Sequence, residues 1–151
     1  LGGDYGRLTF RGEQQALERA NDERFKGATL IVASPYTRAL QTAAIISRIT
    51  QIPLTVAHDL HEWMNDTEFK FDYPIEEAYQ AYIKNKGALP THSTYRYESY
   101  EHLRQRIIKA LSTYQNHDKI IVVFHGVAMS SLTDFSDLIE HCGVRVVHLT
   151  F

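Results

Sequence analysis

Ala28-Thr29-Leu30-Ile31-Val32-Ala33-Ser34-Pro35-Tyr36-Thr37-Arg38-Ala39-Leu40-Gln41-Thr42-Ala43 passes from an apolar run, through a polar turn, into helix-forming residues. The run over 28–33 reads as a buried strand. Ser34 and Pro35 are N-cap and first-turn residue types, so a helix is predicted from Pro35 to about Thr50. Its buried face would carry Leu40, Ala43, Ala44 and Ile46. Arg38 would then lie about one turn in, near the positive end of the helix, where a cation is unfavourable unless an anion offsets it. A guanidinium beside exposed helix N–H groups suits a phosphate. A solvated arginine on a capped helix is the competing reading.

A second junction of the same kind lies downstream. Lys119–Phe124 is another strand candidate, and His125-Gly126 follows it ahead of an apolar-patterned segment. Two parallel strands that end in polar residues at helix starts place those residues on one edge of an α/β sheet, where ligands bind. Outward from these junctions, Thr9 is a fair N-cap for a helix through about Phe25, and Pro53–Val56 looks like a short strand. Residues 58–74 break the pattern, as functional or disordered segments do. Pro74 opens a helix with Ile75, Ala78, Tyr79, Tyr82 and Ile83 at helical spacing, closed by Lys86-Gly87. A second helix runs from about Glu98 to Tyr114, with Tyr100, Leu103, Ile107, Leu111 and Tyr114 inward. A helix from 127 to about Glu140 and a last strand over 144–151 would complete the chain. Alternating strands and helices argue for parallel βαβ units, in one domain over 1–151.

Composition narrows the function. In 151 residues, 44% are hydrophobic and 23% charged, ordinary for a globular protein, and the net charge of −2 does not suggest nucleic acid or an anionic membrane as partner. No apolar run approaches the roughly 18 residues of a membrane helix. Cys142 is the single cysteine, which rules out an intrachain disulfide and suggests a reducing compartment, by default the cytoplasm. The eight histidines invite a metal reading. Neither the His58/His61 pair nor His141, Cys142 and His148 offers two converging ligand pairs, so no metal site is expected. No Gly-x-Gly-x-x-Gly or Walker-type loop supports a nucleotide-binding module.

The helix motif at 34–43, His125-Gly126 after a strand, and Glu62 in a loop after a strand together resemble the histidine phosphatase superfamily, the phosphoglycerate mutase-like proteins. Leu8–Ala16 resembles the family's first-helix signature, and Tyr97-Glu98-Ser99-Tyr100 with Leu103 and Arg106 resembles its later helix opening. The resemblance implies a three-layer α/β/α sandwich with a mostly parallel sheet. It also implies hydrolysis of a phosphomonoester through a phosphohistidine, without cofactor or metal. The substrate would be a phosphorylated small molecule or phosphoprotein. By this resemblance Arg38, His125 and Gly126 bind the phosphoryl group, and Glu62 protonates the leaving oxygen. Asp59 and Asp66 are weaker candidates for that acid. Burial beside Trp63 would hold Glu62 protonated. Hydrolysis is favoured over mutase transfer because 62–96 offers little room for a closed pocket that excludes water.

One departure is large. The family's attacking histidine lies in an Arg-His-Gly motif, and no such triplet occurs here. Leu1-Gly2-Gly3-Asp4-Tyr5-Gly6-Arg7 resembles the loop that follows it. The expectation is an upstream strand and loop of roughly 15 to 25 residues. The alternative is a catalytically inactive domain that binds a phosphorylated ligand or partner.

Overall fold

The structure, a computed structural model, describes residues 5–151; the Leu1–Asp4 part of the expected opening loop lies outside the described residues. Helix α1 (Phe10–Arg19) starts at Thr9, whose hydroxyl accepts from the Gly12 N–H. It is shorter than the sequence suggested. A 3₁₀ turn over Glu23–Phe25 follows, capped by Asp22, which accepts from the Arg24 N–H and pairs with Arg19 and Arg24. Then come β1 (Leu30–Ala33), α2 (Thr37–Thr50), β2 (Leu54–Val56), α3 (Ile75–Lys84), α4 (Tyr100–Ser112), β3 (Ile120–Val123) and α5 (Gly126–Ser130).

The strands form a parallel sheet in the order β2-β1-β3, with Ala33 opposite both Val56 and Val123. Side-chain alternation along β1 sorts the core into two sides. Ile31 and Ala33 pack with Ala20, Phe25, Ala43, Ile46 and Ile121 on one face. Val32 packs on the other with Leu60, Trp63, Ala78, Tyr82, Leu103, Ile107 and Ala128. Helices α1 and α2 thus cover one face, and α3, α4 and α5 the other, giving three layers. Among the described residues, no helix is long and apolar enough to cross a membrane.

Four further expectations need correction. The cap of α2 is Tyr36, not Ser34, and Ala44 is exposed on the outer side of that helix. Helix α5 ends at Ser130 instead of running to about Glu140. Ser130 and Ser131 donate their hydroxyls to the Val127 and Ala128 carbonyls, the side-chain competition by which serines end helices, and Asp134 then turns the chain by accepting from the Ser136 N–H. Residues 144–151 are not a strand. A strand exists only through its ladder, and the described residues present no partner strand to this segment.

Gly87 ties the far side together. It follows α3 at φ +80°, donates to the Tyr82 carbonyl, and accepts from the Tyr100 N–H at the start of α4. A Cβ there would lie 2.5 Å from the Tyr100 Cβ and 3.0 Å from the Phe135 ring. Gly27 has nearly the same φ, +81°, with open space around it. Gly27→Ala is therefore expected to cost about 1–3 kcal/mol, from backbone conformation alone. Gly87→Ala should cost clearly more, because the α3–α4 joint must also open; urea unfolding of both variants measures the difference.

Candidate active site

The site grows from the C-terminal ends of the strands. Beyond β1 the ladder continues, with Ser34 N–H donating to the Val123 carbonyl at 2.9 Å, so Ser34 stands beside the residues that follow β3. Two residues past β3 stands His125, 5% exposed, against a fully buried Ser34. Ser34 Oγ lies 2.7 Å from His125 Nε2 and also accepts from the Tyr36 N–H. An Arg38 guanidinium nitrogen lies 3.2 Å from His125 Nδ1. The Tyr36 ring packs against both, its centroid 5.4 Å from the Arg38 guanidinium carbon and 5.0 Å from the His125 ring centroid. Gly126 begins α5 at the exposed side of this cluster.

These contacts decide the state of the imidazole. An arginine can only donate, so Nδ1 is the acceptor and the ring proton resides on Nε2, donated to Ser34 Oγ. Burial, reinforced by the Arg38 charge, pulls the His125 pKa down to about 3. The ring is neutral at physiological pH.

Glu62 arrives from β2. The Ala57 N–H extends the β2 pairing to the Ala33 carbonyl, a 3₁₀ turn spans His58–Leu60, and buried Leu60 and Trp63 anchor the backbone on either side of Glu62. Glu62 Oε1 accepts from the Trp63 and Ala128 N–H groups at 2.8 and 2.9 Å, and Oε2 from the Val127 N–H at 3.4 Å. Its carboxylate thus bears on the first turn of α5, directly after His125. Burial raises its pKa above the ordinary carboxylate value; the backbone donors and the Arg38 charge pull the other way without cancelling the rise. A neutral imidazole, an arginine charge felt by both partners, and a carboxyl inclined to hold its proton are therefore brought together.

The weaker candidates go elsewhere. Asp66 is buried in a bidentate pair with Arg96 and accepts from the Glu68 and Phe71 N–H groups. These bonds hold its pKa well below the carboxylate range, the wrong state for an acid. Asp59 is exposed in the 3₁₀ turn. Arg96, readable from sequence as a solvated or substrate-binding residue, pairs with Asp66 and Asp72 and lies over the Tyr73 ring, pinning the 65–73 loop. Tyr79, Tyr82 and Tyr97 pack around Trp63 beneath the Glu62 loop.

Sequence reasoning took Ser34 for a cap and missed its bond to His125, although its place after β1 marks it as a residue of the sheet edge. It quoted Glu98 and Arg106 only as part of a helix-opening resemblance. In the structure they clamp the Glu62 loop: Arg106 pairs with Glu98 through Nε and Nη2 at 2.8 and 2.7 Å and donates to loop carbonyls.

Comparison with known proteins identifies the family and agrees with the fold. The histidine phosphatase superfamily (branch 1) matches over residues 3–137, and the chain belongs to that family. The uncharacterized phosphatase PhoE of Bacillus subtilis (strain 168) is 30% identical over 125 residues, which span 83% of this chain and 62% of that protein. The alpha-ribazole phosphatase from Shigella flexneri superposes with a TM-score of 0.61 at 25% identity, covering 85% of this chain and 66% of that one. A mycobacterial glucosyl-3-phosphoglycerate phosphatase superposes at 0.63 with 21% identity, over 84% of this chain and 66% of its own, a likeness of fold. The chain thus spans just under two thirds of the length of these relatives.

The charge state of His125 has a measurable signature. Its folded pKa lies below the ordinary 6.5, so the unfolded chain binds more protons below that pH and His125's contribution to stability declines as pH falls from 6.5 toward 3. Glu62 has the opposite sign: its raised pKa favours the folded state most at low pH, and that contribution is lost as pH rises above 4.5. Urea midpoints should therefore fall between pH 7 and pH 5, and the slope should flatten in His125→Gln.

Proposed function

We propose that this chain is the phosphate-gripping and proton-donating part of a phosphomonoester hydrolase that works through a phosphohistidine. The observation that carries this reading is the convergence of Arg38, neutral His125 and proton-retaining Glu62 at the C-terminal edge of a parallel sheet. Arg38, and the Nε2–H of His125 once it exchanges Ser34 Oγ for the substrate, hold equatorial phosphoryl oxygens and offset their charge in the transition state. An imidazole nitrogen attacks phosphorus, the P–O ester bond breaks, and Glu62 delivers its proton to the leaving oxygen. Water then attacks the phosphohistidine, losing a proton to Glu62 as the P–N bond breaks, and inorganic phosphate leaves.

The attacking imidazole is not His125, whose two nitrogens are engaged by Ser34 and Arg38. No Arg-His-Gly triplet occurs in the 151 residues. We place the nucleophile on a further strand beside β3, which pairs only with β1 among the described residues. The missing triplet also favours a second reading, a domain that binds phosphorylated ligands without turnover. Substrates are phosphorylated small molecules or phosphoproteins in the first reading, phosphorylated ligands or partners in the second.

Hydrolysis of p-nitrophenyl phosphate by the full-length protein separates the two. Turnover is expected, with losses on the order of 100-fold or more in Arg38→Ala and in His125→Ala. Glu62→Gln should slow alkyl phosphates more than p-nitrophenyl phosphate, whose leaving group needs little protonation. Phosphate binding without turnover would establish the second reading, and unchanged turnover in both variants would overturn the site.

A further inference from the structure

The Glu62 loop is held by one guanidinium. Arg106, on α4, uses all five of its N–H donors. Nε and one Nη2 proton go to the two Glu98 carboxylate oxygens. Nη1 donates to the Asp59 and His61 carbonyls at 2.6 and 3.0 Å, and Nη2 reaches the Glu62 carbonyl at 3.5 Å. Glu98 completes the clamp from the other side. Its carboxylate accepts from the Met64 N–H, its carbonyl from the Trp63 indole, and its own N–H donates to the Met64 carbonyl. Both side chains are largely buried, Arg106 at 14% and Glu98 at 4% exposed. Such a planar fork matches carboxylate and carbonyls at once; a lysine, with three donors on a point charge, cannot.

From this geometry we propose that Arg106, locked by Glu98, is a positioning residue that aims Glu62 as the general acid. The guanidinium touches the Asp59, His61 and Glu62 carbonyls but not the Glu62 carboxyl, so it fixes the backbone from which the acid projects. Pairing with Glu98 offsets the charge, letting Arg106 organise the loop without adding an uncompensated cation to the site. With the clamp gone, the loop loosens, water reaches the Glu62 carboxyl, and the burial that raises its pKa is lost.

This inference rests on Glu62 being the acid, and the test separates the two. Arg106→Lys and Glu98→Gln are compared with Glu62→Gln in the full-length protein. Arg106→Lys should lower kcat about 10- to 100-fold on an alkyl phosphate with KM changed less than threefold, and lower it much less on p-nitrophenyl phosphate. Its high-pH limb should move to lower pH as Glu62 regains water. In the 151-residue chain, a carbon-detected NMR titration of the Glu62 side chain should show the same downward shift, with the fold retained by circular dichroism. An Arg106→Lys effect equal on both substrates, or an unmoved Glu62 titration, overturns the positioning role. A Glu62→Gln variant insensitive to the leaving group overturns the acid assignment itself.

Discussion

The parallel register that sets Ala33 opposite Val56 and Val123 is the constraint from which the rest follows. It levels the C-terminal ends of three strands, so the residues after each emerge at one height: Ser34 after β1, the 3₁₀ turn leading to Glu62 after β2, and His125 after β3. Bonds that carry the pairing past the strands, from Ser34 to Val123 and from Ala57 to Ala33, transmit that alignment to side chains. Apolar packing on both faces keeps the register from slipping, because a one-residue shift would turn Ile31 and Val32 onto the wrong layers.

Electrostatics at this edge work by withholding charge. Arg38 sits near the start of α2, where the helix dipole already disfavours a cation. Its neighbour His125 stays neutral, and burial inclines Glu62 to keep its proton. Three other arginines pair with carboxylates, Arg96 with Asp66 and Asp72, Arg106 with Glu98, Arg145 with Asp137 and Glu140.

Local chemistry explains what could be read in advance. The strand-turn-helix over 28–43, the amphipathic face of α4 and the place of His125 after a strand are written in neighbouring residues, and each stands in the structure near its expected position. Glu62 was legible through its place after a strand and beside Trp63. The end of α5 was less so, since two serines inside an apolar pattern outweighed its period. A strand over 144–151 depends on a partner that no local pattern encodes. Contacts across 30 or more residues were equally hidden: Asp66 with Arg96, Ser34 with His125, and Arg106 with a loop 44 to 47 residues away. Such bonds become visible only after topology brings their ends together.

The uncharged imidazole of His125 also couples two equilibria. In the proposed hydrolase, an anion that takes the Nε2–H from Ser34 Oγ would reward the ring for accepting a second proton, raising a pKa that burial and Arg38 pull down to about 3. Anion capture and proton uptake would then become a single process. Under that reading release of phosphate is favoured toward alkaline pH, and retention of the Glu62 proton toward acid.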